Sequence, residues 1–477
     1  MVGIKYRKNF CDKMLRRTQQ RAISQYKFGQ PSLTRAFGPV PRERQVAQAG
    51  KFMSTKLPNG VRVVSHDLDG AHSVVGVYVE AGPKYDPLGC PGLSHVMRYA
   101  IQTSNMDSSL FQVDRTMRST GNAYGHGEIC KRYIHWKTEG RRDMWEKPFA
   151  MIATGVVAPR FHESDLERFR DTMDNQREEL RWQNPREYCV DALETVAFFK
   201  EPLASPRMVP PESNDRCNQK VLLDHWAAYF QPGNITVAAV NIPHDALLAA
   251  YTSLPYPHSA EAPHHARSRP PTLSHASESA QFYPGRQYIV YEDRAKNMGT
   301  VPDMKEEVIA ALGAPTFGRD EDVKKYATAL VAREVYQASI ESVMPAALTT
   351  SHGVQSFYRP YSSAGLIGIT IRGAPKEIAG FLDAARGCFP IKVKDDEVAA
   401  GRARAAMAFT RNHLDMVRDY CDFIATLSVT PQQLMEAIGA VSAGEVDAAL
   451  RTLSAVPPAV FVTGSTFTFP KVPSLKK

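Results

Sequence analysis

One order of secondary-structure signals occurs twice along this 477-residue chain, and that repeat constrains the fold more than any single motif. In the first half, residues 57–83 read as a strand hairpin. Turn signals stand at Asn59-Gly60 and Asp69-Gly70, and Val61, Val63, Val75, Val77 and Val79 alternate with other residues. A short helix is expected over 92–104, and a second over 111–121 ends at Gly121. A strand pair follows over 122–140, then a helix reaching the 150s. A long charged helix over 162–182 carries Leu166, Phe169, Met173 and Leu180 on one side. A helix over 219–234 and a buried strand over 235–241 close this half. The second half runs strand (286–294), helix (320–341) and strand (365–373) with a helix behind it (374–389). One long helix (395–427), two short helices (430–453) and a strand (459–465) complete it. Ser442 caps the second short helix with Glu445 three residues on. The pattern predicts an α+β protein made by internal duplication of about 200 residues, with helices packed on mostly antiparallel sheets.

Between the halves, residues 255–280 are rich in Pro, His, Ser and Ala and lack periodicity, the composition of a linker. His264 and His265 within it have no carboxylate or cysteine partner at metal spacing. The expected organisation is therefore an arm (1–50), a first domain (51–254), the linker, and a second domain (281–477).

The net charge of +8 belongs to the arm. Residues 1–44 hold eleven Lys or Arg against Asp12 and Glu43, which is +9 and leaves −1 for the rest. The body therefore lacks the basic footprint of a nucleic-acid binder. A basic, acid-poor start containing Ser, Thr and Gln has the composition of a mitochondrial targeting segment. Residues 11–25 suit an amphipathic helix with Arg16, Arg17 and Arg21 on the polar side. Here the segment is expected to stay uncleaved and to double as a docking arm, on neighbouring subunits or on anionic lipid. No apolar run approaches the roughly 18 residues of a membrane span. Seven scattered cysteines without a CxxC pair speak against a cysteine zinc site or a disulfide scaffold.

The stretch "CPGLSHVMRYA" (90–100) puts His95 in the first turn of a helix. Two histidines on one helix face with a glutamate between them bind zinc and activate its water. Here Arg98 and Tyr99 stand where such a site needs the glutamate and the second histidine. A guanidinium cannot serve as base and is repelled by a bound metal, and a neutral phenol is a poor ligand. His126 and Glu128 are close in sequence but read as a solvated strand pair. The phosphate-binding GxxxxGK[ST] and GxGxxG patterns and a GxSxG elbow are missing from the sequence.

The segments "LPNGVRVVSHD", "VGVYVEAGPKYDP" and "GLSHVMRYA" together resemble the opening of the pitrilysin-type (M16) metallopeptidase family. That family includes the mitochondrial processing peptidase subunits and the core proteins of ubiquinol–cytochrome c reductase. The resemblance covers about residues 52–477 and implies two tandem homologous domains enclosing a cavity. It matches His95 to the first histidine of the family's inverted HxxEH motif, Arg98 to its glutamate and Tyr99 to its second histidine. The distant metal-binding glutamate falls at or beside Gln176. The resemblance thus implies a degenerate site with no catalytic residue, metal or cofactor.

Arginine in "GLSHVMR" and the stretch "YSSAGLIGITI" (361–371) are most similar to the core-protein branch. That branch implies a peripheral place on the matrix side of the mitochondrial inner membrane. Its implied partners are the other core protein, cytochrome b, cytochrome c1 and Rieske-associated subunits, within a complex-level homodimer. The alternative is the alpha-type processing subunit, which binds presequences through a glycine-rich loop. The corresponding residues 336–357 hold one glycine, Gly353, too few for a mobile glycine hinge.

Overall fold

The computed structural model describes residues 50–125, 127–254, 280–291, 307–320, 322–343, 353–375, 377–378, 380, 393–426 and 429–466. The arm, the linker over 255–279, His126 and most of the helix expected over 374–389 lie outside the described residues.

Two sheets carry the duplication. In the first, β1 (Met53–Lys56), β2 (Arg62–His66), β3 (His72–Val79), β4 (Ala123–Tyr124), β6 (Ile134–Arg141) and β7 (Ile235–Val240) lie in the order β1-β2-β7-β3-β6-β4, and β5 (Glu128–Ile129) also pairs with β6. In the second, β8 (Gln287–Tyr291), β9 (Val308–Thr316), β10 (Val354–Pro360), β11 (Gly365–Gly373) and β12 (Ala459–Gly464) lie in the order β10-β11-β9-β12-β8. Read from its other edge, the second sheet repeats the first. The opening strand lies parallel to the closing strand in each, β2 on β7 and β8 on β12. The closing strand then runs antiparallel to the second, β7 on β3 and β12 on β9. This is the two-sheet, tandem α+β architecture the repeat predicts.

Two expectations need correction. Residues 57–83 do not form a hairpin of β2 with β3, because β7 inserts between them. The Asn59-Gly60 turn instead joins β1 to β2, with Gly60 at φ 101°. Pairing with β2 on one side and β3 on the other buries both flanks of β7, whose residues are nearly all covered. The single helix expected over 395–427 is two helices, Asp395–His413 and Val417–Thr426, separated by a bend at Leu414 to Met416. The break re-aims the second piece onto the other half of the molecule.

Numbered in chain order, the helices used below are α1 (Leu93–Ala100), α2 (Leu110–Ser119), α3 (Glu146–Val157), α4 (Glu163–Gln183), α5 (Pro185–Ala197), α6 (Gln219–Tyr229), α7 (His244–Thr252), α8 (Val323–Val343), α9 (Asp395–His413), α10 (Val417–Thr426), α11 (Pro431–Ala440) and α12 (Ala443–Ala455). Asn184-Pro185 separates α4 from α5, since proline suits the first helical turn and not the interior. The bend between α9 and α10 is its counterpart. At α12, Ser442 and Glu445 form the expected capping box.

Each half lends one helix to the other half's sheet. Cys189, Leu193 and Ala197 of α5 pack with Ile309, Ala311 and Phe461 of the second sheet. Conversely, Tyr420, Cys421 and Ile424 of α10 share one apolar cluster with Val64, Val74, Tyr78, Ala238 and Val240 of the first. The opposite face of the first sheet, with Val63, Val75, Val77 and Val237, is covered by Val96 and Met97 of α1, Ile152 of α3 and Leu222 of α6. The central strands of both sheets are thus buried on both faces, and apolar burial at about 25 cal/mol per Å² couples the halves into one folding unit. Polar contacts add to the seam. Arg62 donates to the Ala425 carbonyl at 2.7 Å, and His66 Nδ1 lies 2.5 Å from the Tyr420 hydroxyl. Lys131 and Glu194 form a buried ion pair at 2.8 Å, and the Tyr361 hydroxyl donates to Glu194 Oε1 at 2.7 Å.

Candidate functional site

The residues singled out in the sequence meet where α1 packs on α4. Helix α1 begins at Gly92, at φ 79°, where a side-chain Cβ would lie 2.4 Å from the Val209 Cα. Only glycine allows that approach, and it brings the Val209 amide to the helix. Buried Asp86 anchors the first turn by accepting from the Ser94 amide at 3.0 Å and from the Ser94 hydroxyl. Burial raises its carboxyl to about 8 despite those hydrogen bonds.

His95 and Tyr99 are one turn apart and face α4 together, with ring centroids 5.7 Å apart. Gln176 Oε1 lies 2.8 Å from His95 Nε2 and accepts from the Tyr99 hydroxyl at 2.8 Å. The Val209 N–H donates to His95 Nδ1 at 3.3 Å. Because an amide N–H can only donate, Nδ1 is the acceptor, and Nε2 carries the proton that it gives to Gln176. Burial lowers the His95 pKa to about 4, so the ring is neutral. Its single basic lone pair is therefore engaged by the backbone. Tyr99 stacks on Phe169 at 5.4 Å, and burial raises its pKa. Arg98 is half-buried, lies over the Tyr99 ring at 4.9 Å and contacts the Tyr99 hydroxyl at 3.4 Å.

His95, Tyr99 and Gln176 thus converge, with Arg98 at their edge, in a closed hydrogen-bonded cluster. Its donors do not fit the zinc ion that a site of the inverted HxxEH type would hold. Binding through His95 Nδ1 would strip the Val209 amide of its acceptor, and binding through Nε2 would require a change of tautomer. Neither a neutral phenol nor a carboxamide supplies the charge of a histidine–carboxylate set. The cluster holds no general base aimed at a water, so no hydrolytic step can be drawn through it.

A second polar cluster was not read from the sequence. Strand register lines up Glu128, His135 and Tyr78 across β5, β6 and β3. Helix α10 sets Asp422 over this row. The Tyr78 hydroxyl donates to Asp422 Oδ1 at 2.6 Å, and Lys137 Nζ donates to Asp422 Oδ2 at 2.6 Å. Arg418 pairs with Glu128 Oε1. A cleft of about 250 Å³ opens here, lined by Arg98, Glu128, His135, Lys137, Glu139 and Arg418 among others. The reading of Glu128 as a routine solvated position misses this setting. The alternation His135-x-Lys137 was visible, but Asp422 lies nearly 300 positions away and only the lent helix brings it in.

Comparison with known proteins agrees with this fold. Residues 62–211 match the family model "Insulinase (Peptidase family M16)". The ubiquinol-cytochrome-c reductase complex core protein 2 of Euglena gracilis is 24% identical over 388 residues, covering 79% of this chain and 78% of that protein. The mitochondrial-processing peptidase subunit alpha of Neurospora crassa is 26% identical over 227 residues, covering 45% of this chain and 39% of that protein. The mitochondrial-processing peptidase subunit beta of Caenorhabditis elegans is 22% identical over 367 residues, covering 74% and 75%. Residues 62–211 thus carry the M16 peptidase pattern, and the chain is similar at low identity to both complex-III core proteins and processing-peptidase subunits.

Proposed function

We propose that this protein is a non-catalytic structural subunit of mitochondrial complex III, of the core protein 2 type, held on the matrix side of the inner membrane. The observation that carries the reading is the closed His95–Tyr99–Gln176 cluster, in which the only metal-capable lone pair already accepts from Val209. A second support is that similarity to the Euglena core protein runs along most of both chains. None of the helices among the described residues is long and apolar enough to cross a membrane, which is compatible with a peripheral place. In this reading residues 1–50 are the import address and docking arm, 51–254 and 281–477 the two domains, and 255–280 their linker. Its partners are the other core protein, cytochrome b, cytochrome c1 and Rieske-associated subunits, in a twofold complex.

Affinity purification of the tagged full chain from mild-detergent extracts of its own mitochondria tests this. Stoichiometric recovery of cytochrome b and cytochrome c1 is expected. Recovery of a processing-peptidase beta subunit alone, without cytochromes, would replace this reading with that of an alpha-type presequence-binding subunit.

A further inference from the structure

We propose that Glu128, His135 and Asp422 form a binding site for a divalent first-row transition metal, Zn²⁺ being the natural probe. This site is separate from the His95 cluster and joins the two halves of the molecule. Its ligand atoms would be Glu128 Oε2, His135 Nε2 and Asp422 Oδ1.

The donor spacing fits. His135 Nε2 lies 3.4 Å from Glu128 Oε2 and 3.6 Å from Asp422 Oδ1, and the three donor atoms all fall within 4.8 Å of one another. Metal–ligand bonds of about 2.0–2.1 Å in a tetrahedral site place neighbouring donors about 3.3–3.4 Å apart. The two His135 distances therefore match such a site to within a few tenths of an ångström, and Glu128, the half-exposed ligand, closes the remaining gap to Asp422 on binding.

Independent of the two carboxylates, His135 itself points to a ligand. It is 7% exposed, and neither ring nitrogen has a hydrogen-bond partner among the described residues. Buried imidazoles ordinarily find a partner, because an unpaired polar atom costs about 1–3 kcal/mol. Its ring is fixed by stacking on Tyr78 at 4.9 Å and 19°. Tyr78 in turn orients Asp422 through Oδ1, the kind of outer support that tunes metal ligands. The cleft leaves room for water at a fourth position. One imidazole and two carboxylates suit Zn²⁺, Mn²⁺ or Fe²⁺ rather than a thiophilic ion.

Lys137 and Arg418 compete for the same charge, Arg418 through Glu128 Oε1 and Lys137 from the Asp422 side. The Lys137 Nζ is 2.6 Å from Asp422 Oδ2 and 3.6 Å from Glu128 Oε2, so it occupies the site's cationic role in the metal-free protein. This sets a prediction opposite in sign to an ordinary ion-pair deletion: removing Lys137 strengthens metal binding.

The test is calorimetric titration of the chelator-stripped full chain with ZnCl₂, with Co²⁺ absorption as a geometric readout and circular dichroism as a fold control. The expected results are one equivalent bound, at least about tenfold weakening in His135→Ala and in Glu128→Gln, and about tenfold tightening in Lys137→Gln. Glu128 is half-exposed, so its variant keeps the core intact should His135→Ala fail to fold. His95→Ala leaves the affinity unchanged. Lack of a stoichiometric site overturns the proposal. So does binding indifferent to Glu128 and His135, weaker or equal binding in Lys137→Gln, or loss of binding in His95→Ala.

Discussion

Beside the seam, where the second half's Tyr361 meets Glu194, the buried pair Lys131–Glu194 makes a quantitative prediction. Their side chains are 6% and 3% exposed and pair at 2.8 Å. Changing Glu194 to Gln keeps the shape but leaves the Lys131 ammonium without its counter-charge. Removing one partner of a buried pair costs about 3–5 kcal/mol. Lys131 also donates to the Leu203 and Ser205 carbonyls at 3.0 and 2.7 Å, which offsets part of the loss. The expected cost therefore sits at the lower end, about 3 kcal/mol. Lys131→Met alone removes the ammonium from Glu194, which keeps the Tyr361 hydroxyl and the field of Arg207 and Arg359, and costs a similar or smaller amount. The double variant buries no unpaired charge and loses mainly the two carbonyl bonds, about 2 kcal/mol in all. Urea unfolding of the four proteins, followed by far-UV circular dichroism and tryptophan fluorescence, gives the cycle. A coupling energy of at least about 2 kcal/mol is expected. Additivity within about 0.5 kcal/mol would refute the claim that the pair acts as one buried unit.

Gly92→Ala should cost at least about 2 kcal/mol, since the added Cβ meets the Val209 Cα at 2.4 Å and the residue keeps φ 79°; a melting shift under 2 °C would count against that contact. His225 is fully buried, and burial lowers its pKa from 6.5 to about 4, so the unfolded chain binds the proton first and stability falls as pH drops from 6.5 to about 4. That shift corresponds to about 3 kcal/mol, and His225→Phe should flatten the acid limb of a stability–pH curve by about this amount. Ser442→Ala removes the acceptor for the Glu445 amide at 3.4 Å and should cost about 1 kcal/mol by urea unfolding, whereas Ser442→Asp should cost little.

What the sequence made legible follows the physics of each segment. The capping box at Ser442 and the alternating valines of β2 and β3 are local signals, and the structure uses them locally. Strand β9 was hidden because Val308–Thr316 is rich in Ala and Gly and shows no alternation. It is a central strand buried on both faces, and Gly313 leaves room for Leu193 of the lent helix α5. Partners set the residue choice there, and they lie far off in sequence. For the same reason the insertion of β7 between β2 and β3 escaped the hairpin reading. In the site, residue types at 95, 98 and 99 could be read as incompatible with a zinc peptidase. That the Val209 amide reaches His95 Nδ1, and that Tyr99 reaches Gln176, depended on the packing of α1 against α4. The Glu128–His135–Asp422 group needed both halves at once.

The most direct test of the non-catalytic assignment is hydrolysis of a basic presequence peptide, measured with added Zn²⁺ for the purified chain and for its native complex, each with and without His95→Ala. The expected result is no cleavage by the chain alone and an unchanged rate for the complex when His95 is replaced. Cleavage by the chain alone, or activity of the complex that disappears with His95, would contradict it.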